Sequence, residues 1–126
     1  MKINGKEVKM RYSVRARLNI AALCPDKKFE RIGDLFGNTE EESVEALIKV
    51  GQLLNSEYER NAKRERGEAT NPDENYAVFT ADDIYSLSIP ELNEFDDMVT
   101  KTIFGDSTTT VEAKPGKKTG KKTTLN

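Results

Sequence analysis

The sequence predicts a mainly α-helical domain with a small N-terminal β-hairpin, one long helix and a disordered C-terminal tail. Three observations carry this. Asn4-Gly5 sits between residues that alternate apolar and charged. The run from Thr39 to Arg66 has no proline and carries apolar residues at three- and four-residue steps. After Gly105 the chain turns to Ser, Thr, Lys and Gly with one Val and one Leu, too little apolar surface to offset the entropy of ordering. Residues 1–105 therefore read as a single domain, with a loop expected to be flexible near 67–79, and residues 106–126 as a tail.

In Lys2-Ile3-Asn4-Gly5-Lys6-Glu7, both central residues tolerate positive φ, as a two-residue type I′ turn requires. The register then sets Ile3 opposite Lys6, Lys2 opposite Glu7 and Met1 opposite Val8. Met1, Ile3, Val8, Met10 and Tyr12 share one face, while Lys2, Glu7, Lys9 and Arg11 share the other. So small a hairpin must rest on helices or join a neighbour's sheet.

Ser13 is placed to cap a helix reaching Leu23, with Val14, Leu18, Ala21 and Ala22 expected inward. Cys24-Pro25 ends it, because the residue before proline avoids the α region. Cys24 reads as a small buried hydrophobe. Phe29, Ile32, Leu35 and Phe36 predict a short helix closed by Gly37.

Thr39 and Glu42 have capping-box spacing at the start of the long helix. Glu40, Glu41 and Glu42 complement its dipole at one end, and Lys63, Arg64 and Arg66 at the other. Val44, Leu47, Ile48, Gly51, Leu54 and Tyr58 form its apolar stripe. Gly67 stops it after roughly 40 Å. The turns beyond Tyr58 have nothing large to bury, so they are expected to stand in solvent or to meet another subunit. Thr80 with Asp83 predicts a further helix start, bringing Ile84, Tyr85 and Leu87. A last helix follows at Pro90, with Leu92, Phe95, Met98, Val99 and Ile103 as its stripe and Gly105 as its stop.

Composition narrows the function. The chain has no histidine and one cysteine, which removes the commonest general acid–base, the commonest transition-metal ligand and any internal disulfide. No phosphate-binding glycine loop, dinucleotide fingerprint or EF-hand pattern occurs. No catalytic, cofactor-binding or metal-binding residues are therefore expected, and no enzyme. Asp82/Asp83 and Asp96/Asp97 do not form a catalytic pair, since neighbours on a helix point about 100° apart. Mean hydropathy is -0.70 and no apolar run is long enough to cross a bilayer, so a cytoplasmic protein without a membrane partner is expected.

Charge is unevenly spread. Residues 1–36 hold nine Lys/Arg against four Asp/Glu, residues 80–106 one against seven, and residues 107–126 five against one. Such polarity suits head-to-tail self-association. Gly116-Lys117-Lys118 and Gly120-Lys121-Lys122 could hold a phosphate backbone loosely. Without an interleaved aromatic or a folded DNA-binding motif, and with an isoelectric point of about 5.3, a nucleic-acid partner is disfavoured.

The order of these pieces resembles that of the small tail assembly chaperones of long-tailed, siphovirus-type bacteriophages and prophages of Gram-positive hosts. It comprises the Asn-Gly-Lys-Glu hairpin, a helix ending near Pro25, the long charged helix, the acidic Thr80-Ala81-Asp82-Asp83-Ile84-Tyr85-Ser86-Leu87-Ser88-Ile89-Pro90-Glu91-Leu92 segment and the Lys-rich tail. The resemblance spans residues 1 to about 105 and is one of layout. It implies a non-enzymatic role in the host cytoplasm. Such a protein would coat and solubilise the tape measure protein, help recruit tail tube subunits, self-associate into an oligomer or spiral, and be absent from the finished virion. On this reading Val44, Leu47, Ile48, Leu54, Tyr58, Phe95 and Val99 include both core and partner contacts, and Leu54→Ser with Tyr58→Ser should abolish tape measure binding while sparing the fold. It also implies a frameshifted longer product, for which the two Gly-Lys-Lys tripeptides are candidate slippery sites. The alternatives are a structural phage adaptor (a head–tail connector or minor tail protein) and a small nucleic-acid-binding regulator.

Overall fold

The computed structural model describes residues 1–37 and 39–105. The expectations for the tail, including disorder and the Gly-Lys-Lys sites, lie outside the described residues. The elements are strands β1 (Lys2–Ile3) and β2 (Lys6–Glu7), followed by helices α1 (Val14–Leu23), α2 (Ile32–Leu35), α3 (Glu40–Glu65), α4 (Ala81–Tyr85) and α5 (Ile89–Phe104). Two single 3-10 turns, Pro25–Lys27 and Phe29–Arg31, lead into α2. The domain is mainly helical, with a two-stranded hairpin.

The hairpin has the register that Asn-Gly dictates. Lys2 pairs with Glu7 and Ile3 with Lys6, and Asn4 and Gly5 both adopt positive φ, 51° and 78°. Ile3 and Val8 are buried, so the apolar face rests on the helices of its own chain.

The long helix α3 is the axis. Thr39 accepts a hydrogen bond from the Glu42 N–H at its start. At its end Gly67 turns to φ 78°, letting the Glu68 and Gly67 amides reach the carbonyls of Lys63 and Arg64 in a Schellman closure. Helix α1 runs antiparallel beside it: Ser13 meets Glu57, while Leu23 lies beside Ala46 and Lys49. Helix α5 crosses at Gly51, where the buried Phe95 ring lies so close that a Cβ on Gly51 would clash with its Cζ. Phe79 meets the same ring edge-on, with centroids 5.6 Å apart. The acidic C-terminal part thus packs against the long helix. Both of its helices open with complete capping boxes, Thr80 with Asp83 and Ser88 with Glu91.

Two expectations need correction. The buried face of α1 is Ala16 and Ile20, continued by Cys24, whereas Val14 and Leu18 are exposed. Positions two apart point roughly 200° apart on a helix, so the predicted stripe lies on the opposite side. The helix is apolar on both sides, and Ser13 decides which side faces in, because its capping hydroxyl also donates to Glu57. The turns of α3 around and beyond Tyr58 do not simply stand in solvent. Asn55, Ser56 and Arg60 are buried under residues 67–79, which return along the helix, and Glu57 is buried against Ser13 of the α1 side; only the last residues, Arg64 to Arg66, are exposed as expected.

That return is held by hydrogen bonds along the helix and, at its end, by Phe79 in the core. The Arg60 guanidinium donates to the carbonyls of Asn71 (2.6 Å) and Glu74 (2.9 Å) and lies 4.9 Å from the Tyr76 ring centroid. Ser56 Oγ accepts from the Tyr76 N–H, Asn55 Oδ1 from the Val78 N–H, and Gln52 donates to the Phe79 carbonyl. Asn55 also donates to the Lys9 carbonyl on the opposite flank. One amide side chain therefore ties both irregular segments to the helix, which satisfies buried backbone groups that would otherwise be orphaned.

Candidate functional site

The seven residues singled out for partner contact divide three ways. Leu47, Ile48, Leu54, Phe95 and Val99 are buried, and of these Ile48, Leu54, Phe95 and Val99 are core without an open face. A Leu54→Ser change would remove core packing and could not spare the fold, which corrects that expectation. Tyr58 is half-buried on another flank, with the Lys9 ammonium 6.0 Å from its ring centroid. Val44 and Leu47 alone of the seven come together at an open surface.

That surface is a groove of about 380 Å³ between the N-terminal half of α3 and α5, with Phe36, Val44, Leu47 and Leu92 as its apolar lining. Ser43, Asn93, Asp96 and Thr100 edge it. Ser43 donates a 2.6 Å hydrogen bond to the Phe36 carbonyl, which fixes the corner where Phe36 enters. Asp96 touches water, yet it stands in this concavity and loses hydration there. Burial, with the neighbouring Asp97 charge, pushes its carboxyl above the usual carboxylate range.

A second groove, about 740 Å³, lies between α1 and the C-terminal half of α3. It is lined by the exposed Val14 and Leu18, by Arg11, Arg15 and Arg64, and more deeply by the buried Glu57 and Arg60. Glu57 accepts from Ser13 Oγ (2.7 Å), Arg60 Nε (2.9 Å) and Arg15 Nη1 (3.5 Å). Burial pushes its carboxyl up. The hydrogen bonds from Ser13 and Arg60, with the charges of Arg15 and Arg60, outweigh that and hold it below the ordinary value. Arg11 and Arg64 have no ion-pair partner among the described residues.

Sequence reasoning missed this groove because it assigned Val14 and Leu18 to the core. The signal present was Ala16 and Ile20 at the complementary spacing, with Ser13 and Glu57 able to lock that alternative. Among the described residues no three Cys, Asp or Glu side chains gather as a metal would need, and no helix is long and apolar enough to cross a membrane. The Cys24 thiol donates to the Ile20 carbonyl, and burial pushes its pKa up. No family model, curated protein or solved structure matches this chain.

Proposed function

We propose that this protein is a non-enzymatic tail assembly chaperone that covers the apolar stripe of a long helical partner, the phage tape measure protein, and helps to bring tail tube subunits to it in the host cytoplasm. The observation that carries the reading is the open groove lined by Phe36, Val44, Leu47 and Leu92. It is bounded by two helices, and its lining is apolar where a helix laid between them would place residues at three- and four-residue steps. The layout resemblance points to the partner, and the open apolar groove supports the reading.

Co-expression with the tape measure protein of the same genome tests this. The tape measure protein is expected to become soluble and to co-purify with the wild-type chain. Val44→Glu and Leu92→Glu lie at half-buried positions, and either is expected to abolish capture while circular dichroism and the melting transition stay close to wild type. Tape measure protein that remains insoluble, or capture that survives both substitutions, would sink the proposal. Detection of this chain in purified virions would favour a structural adaptor instead.

A further inference from the structure

We infer that the groove between α1 and the C-terminal half of α3 binds an acidic segment of another polypeptide, in which one or two apolar side chains stand among carboxylates. Four of the chain's seven arginines line this groove, and none of its thirteen lysines is among the described lining residues. A guanidinium presents a planar fork of N–H donors that meets a carboxylate through two parallel hydrogen bonds, which an ammonium cannot do. The use of arginine marks a surface that recognises an oxyanion and does more than carry positive charge.

The base of the groove is closed on itself. Arg60 donates from Nε to Glu57 and from its two terminal nitrogens to the Asn71 and Glu74 carbonyls, and Glu57 also accepts from Ser13. This buried pair cancels its own charge. Arg11 and Arg64 enter no ion pair among the described residues, and Arg15 reaches Glu57 only at 3.5 Å. Arg11, Arg15 and Arg64 are therefore a surplus, in a chain whose formal net charge is -2. Like charges gathered in a concavity raise the energy of the free domain and focus its field on an anionic partner.

Val14 and Leu18 decide between the anions. They stand beside these arginines 79% and 65% exposed, and a phosphodiester backbone gains nothing by covering them. A nucleic-acid base would need a free aromatic face, but Tyr12, the one aromatic among the described lining residues, packs against Phe29 with centroids 6.2 Å apart. A polypeptide that mixes carboxylates with apolar side chains complements the arginines and the apolar pair together. The chain's own Lys-rich residues 107–126 have the wrong sign. This groove is not the one that carries the tape measure reading, and the inference stands without that reading.

Fluorescence anisotropy of a labelled peptide of Glu-Leu-Glu-Glu repeats, titrated with the full chain, provides the test. Saturable binding is expected, weaker at about 0.5 M than at about 0.05 M salt because the contact is exposed and screened. Arg11→Gln with Arg64→Gln, both at exposed positions, is expected to weaken it roughly tenfold or more, while the melting transition stays close to wild type. Arg11→Lys with Arg64→Lys keeps the charge but loses the fork, and is expected to bind with intermediate strength. Leu18→Gln, or a probe of Glu-Gln-Glu-Glu repeats, is expected to bind several-fold more weakly. No peptide binding, binding unmoved by the glutamine pair or by Leu18→Gln, or a lysine pair as tight as wild type would each overturn the inference. So would tighter binding of a mixed-sequence single-stranded RNA through the same arginines, which would give the groove to a nucleic acid. Self-association of the wild-type chain that the glutamine pair abolishes would give it to a second copy, with the same consequence.

Discussion

Gly51 shows how one missing methyl sets a helix crossing. Alanine there would gain about 0.5–1 kcal/mol of helix stability. The added carbon would also clash with the Phe95 ring, which is buried and packed edge-on against Phe79, so the ring has little room to move. Overpacking of this kind costs about 1–3 kcal/mol, and the steric term wins. Gly51→Ala is expected to lower stability by about 1–2 kcal/mol in urea unfolding, whereas Gly33→Ala, which meets open space, should be neutral or slightly stabilising. Equal effects at the two sites would refute the close crossing. Glu57 makes a second residue-scale case. Replacing it with alanine leaves the Arg60 charge buried, and losing one member of such a pair costs about 3–5 kcal/mol. Arg60 keeps its two carbonyl partners, which places the loss near the lower figure. Because the folded pKa of Glu57 lies below its ordinary 4.5, its contribution is complete above that value and disappears as pH falls through the folded pKa. Urea unfolding at descending pH should show wild type losing its advantage over Glu57→Gln in that acid window. A constant advantage down to the lowest pH would contradict the assignment.

At the scale of elements, what could be read from the sequence was whatever is written locally. The Asn4-Gly5 register, the Thr39 and Thr80 caps and the Gly67 and Gly105 stops rest on neighbours a few residues apart. The α1 face could not be read this way, because Val14/Leu18 and Ala16/Ile20 are both acceptable stripes and the choice rests on a contact between Ser13 and Glu57, 44 residues apart. The covering of α3 by residues 67–79 was hidden for a related reason. Hydrophobic periodicity carries no trace of Asn55, Ser56 and Arg60 serving as hydrogen-bond partners for distant backbone. Asn55→Ala tests this arrangement directly. It removes the donor to the Lys9 carbonyl and the acceptor of the Val78 amide, leaving both part-buried groups without that partner, at up to about 1–3 kcal/mol for a group that water does not reach. Hydrogen exchange should then speed up at Val78 and at Tyr76 beside it, while the amides of α5 change little. Uniform loss of protection over the whole domain would mean that Asn55 supports the core as a whole and not these two segments.

On the scale of the whole molecule, the two grooves lie on different parts of α3, one beside its N-terminal half and α5, the other beside its C-terminal half and α1. The fully buried part of the stripe, Ile48 and Leu54 with Gly51 between them, separates them as a packed core. Of the predicted contact residues, only those near one end of that stripe were open to a partner, because the middle is consumed by α5. A helix that must hold a domain together cannot offer the same residues to a partner, so function is displaced to its flanks. If one groove takes an elongated helical partner and the other an acidic segment, the two activities should separate by mutation. Val44→Glu is expected to lose tape measure capture yet retain salt-sensitive binding of the acidic peptide. Arg11→Gln with Arg64→Gln is expected to lose the peptide yet still capture tape measure protein. Pull-down and fluorescence anisotropy on the same preparations decide the matter. Loss of both activities in each variant would mean that the grooves act as one surface, and the division of labour along α3 would have to be abandoned.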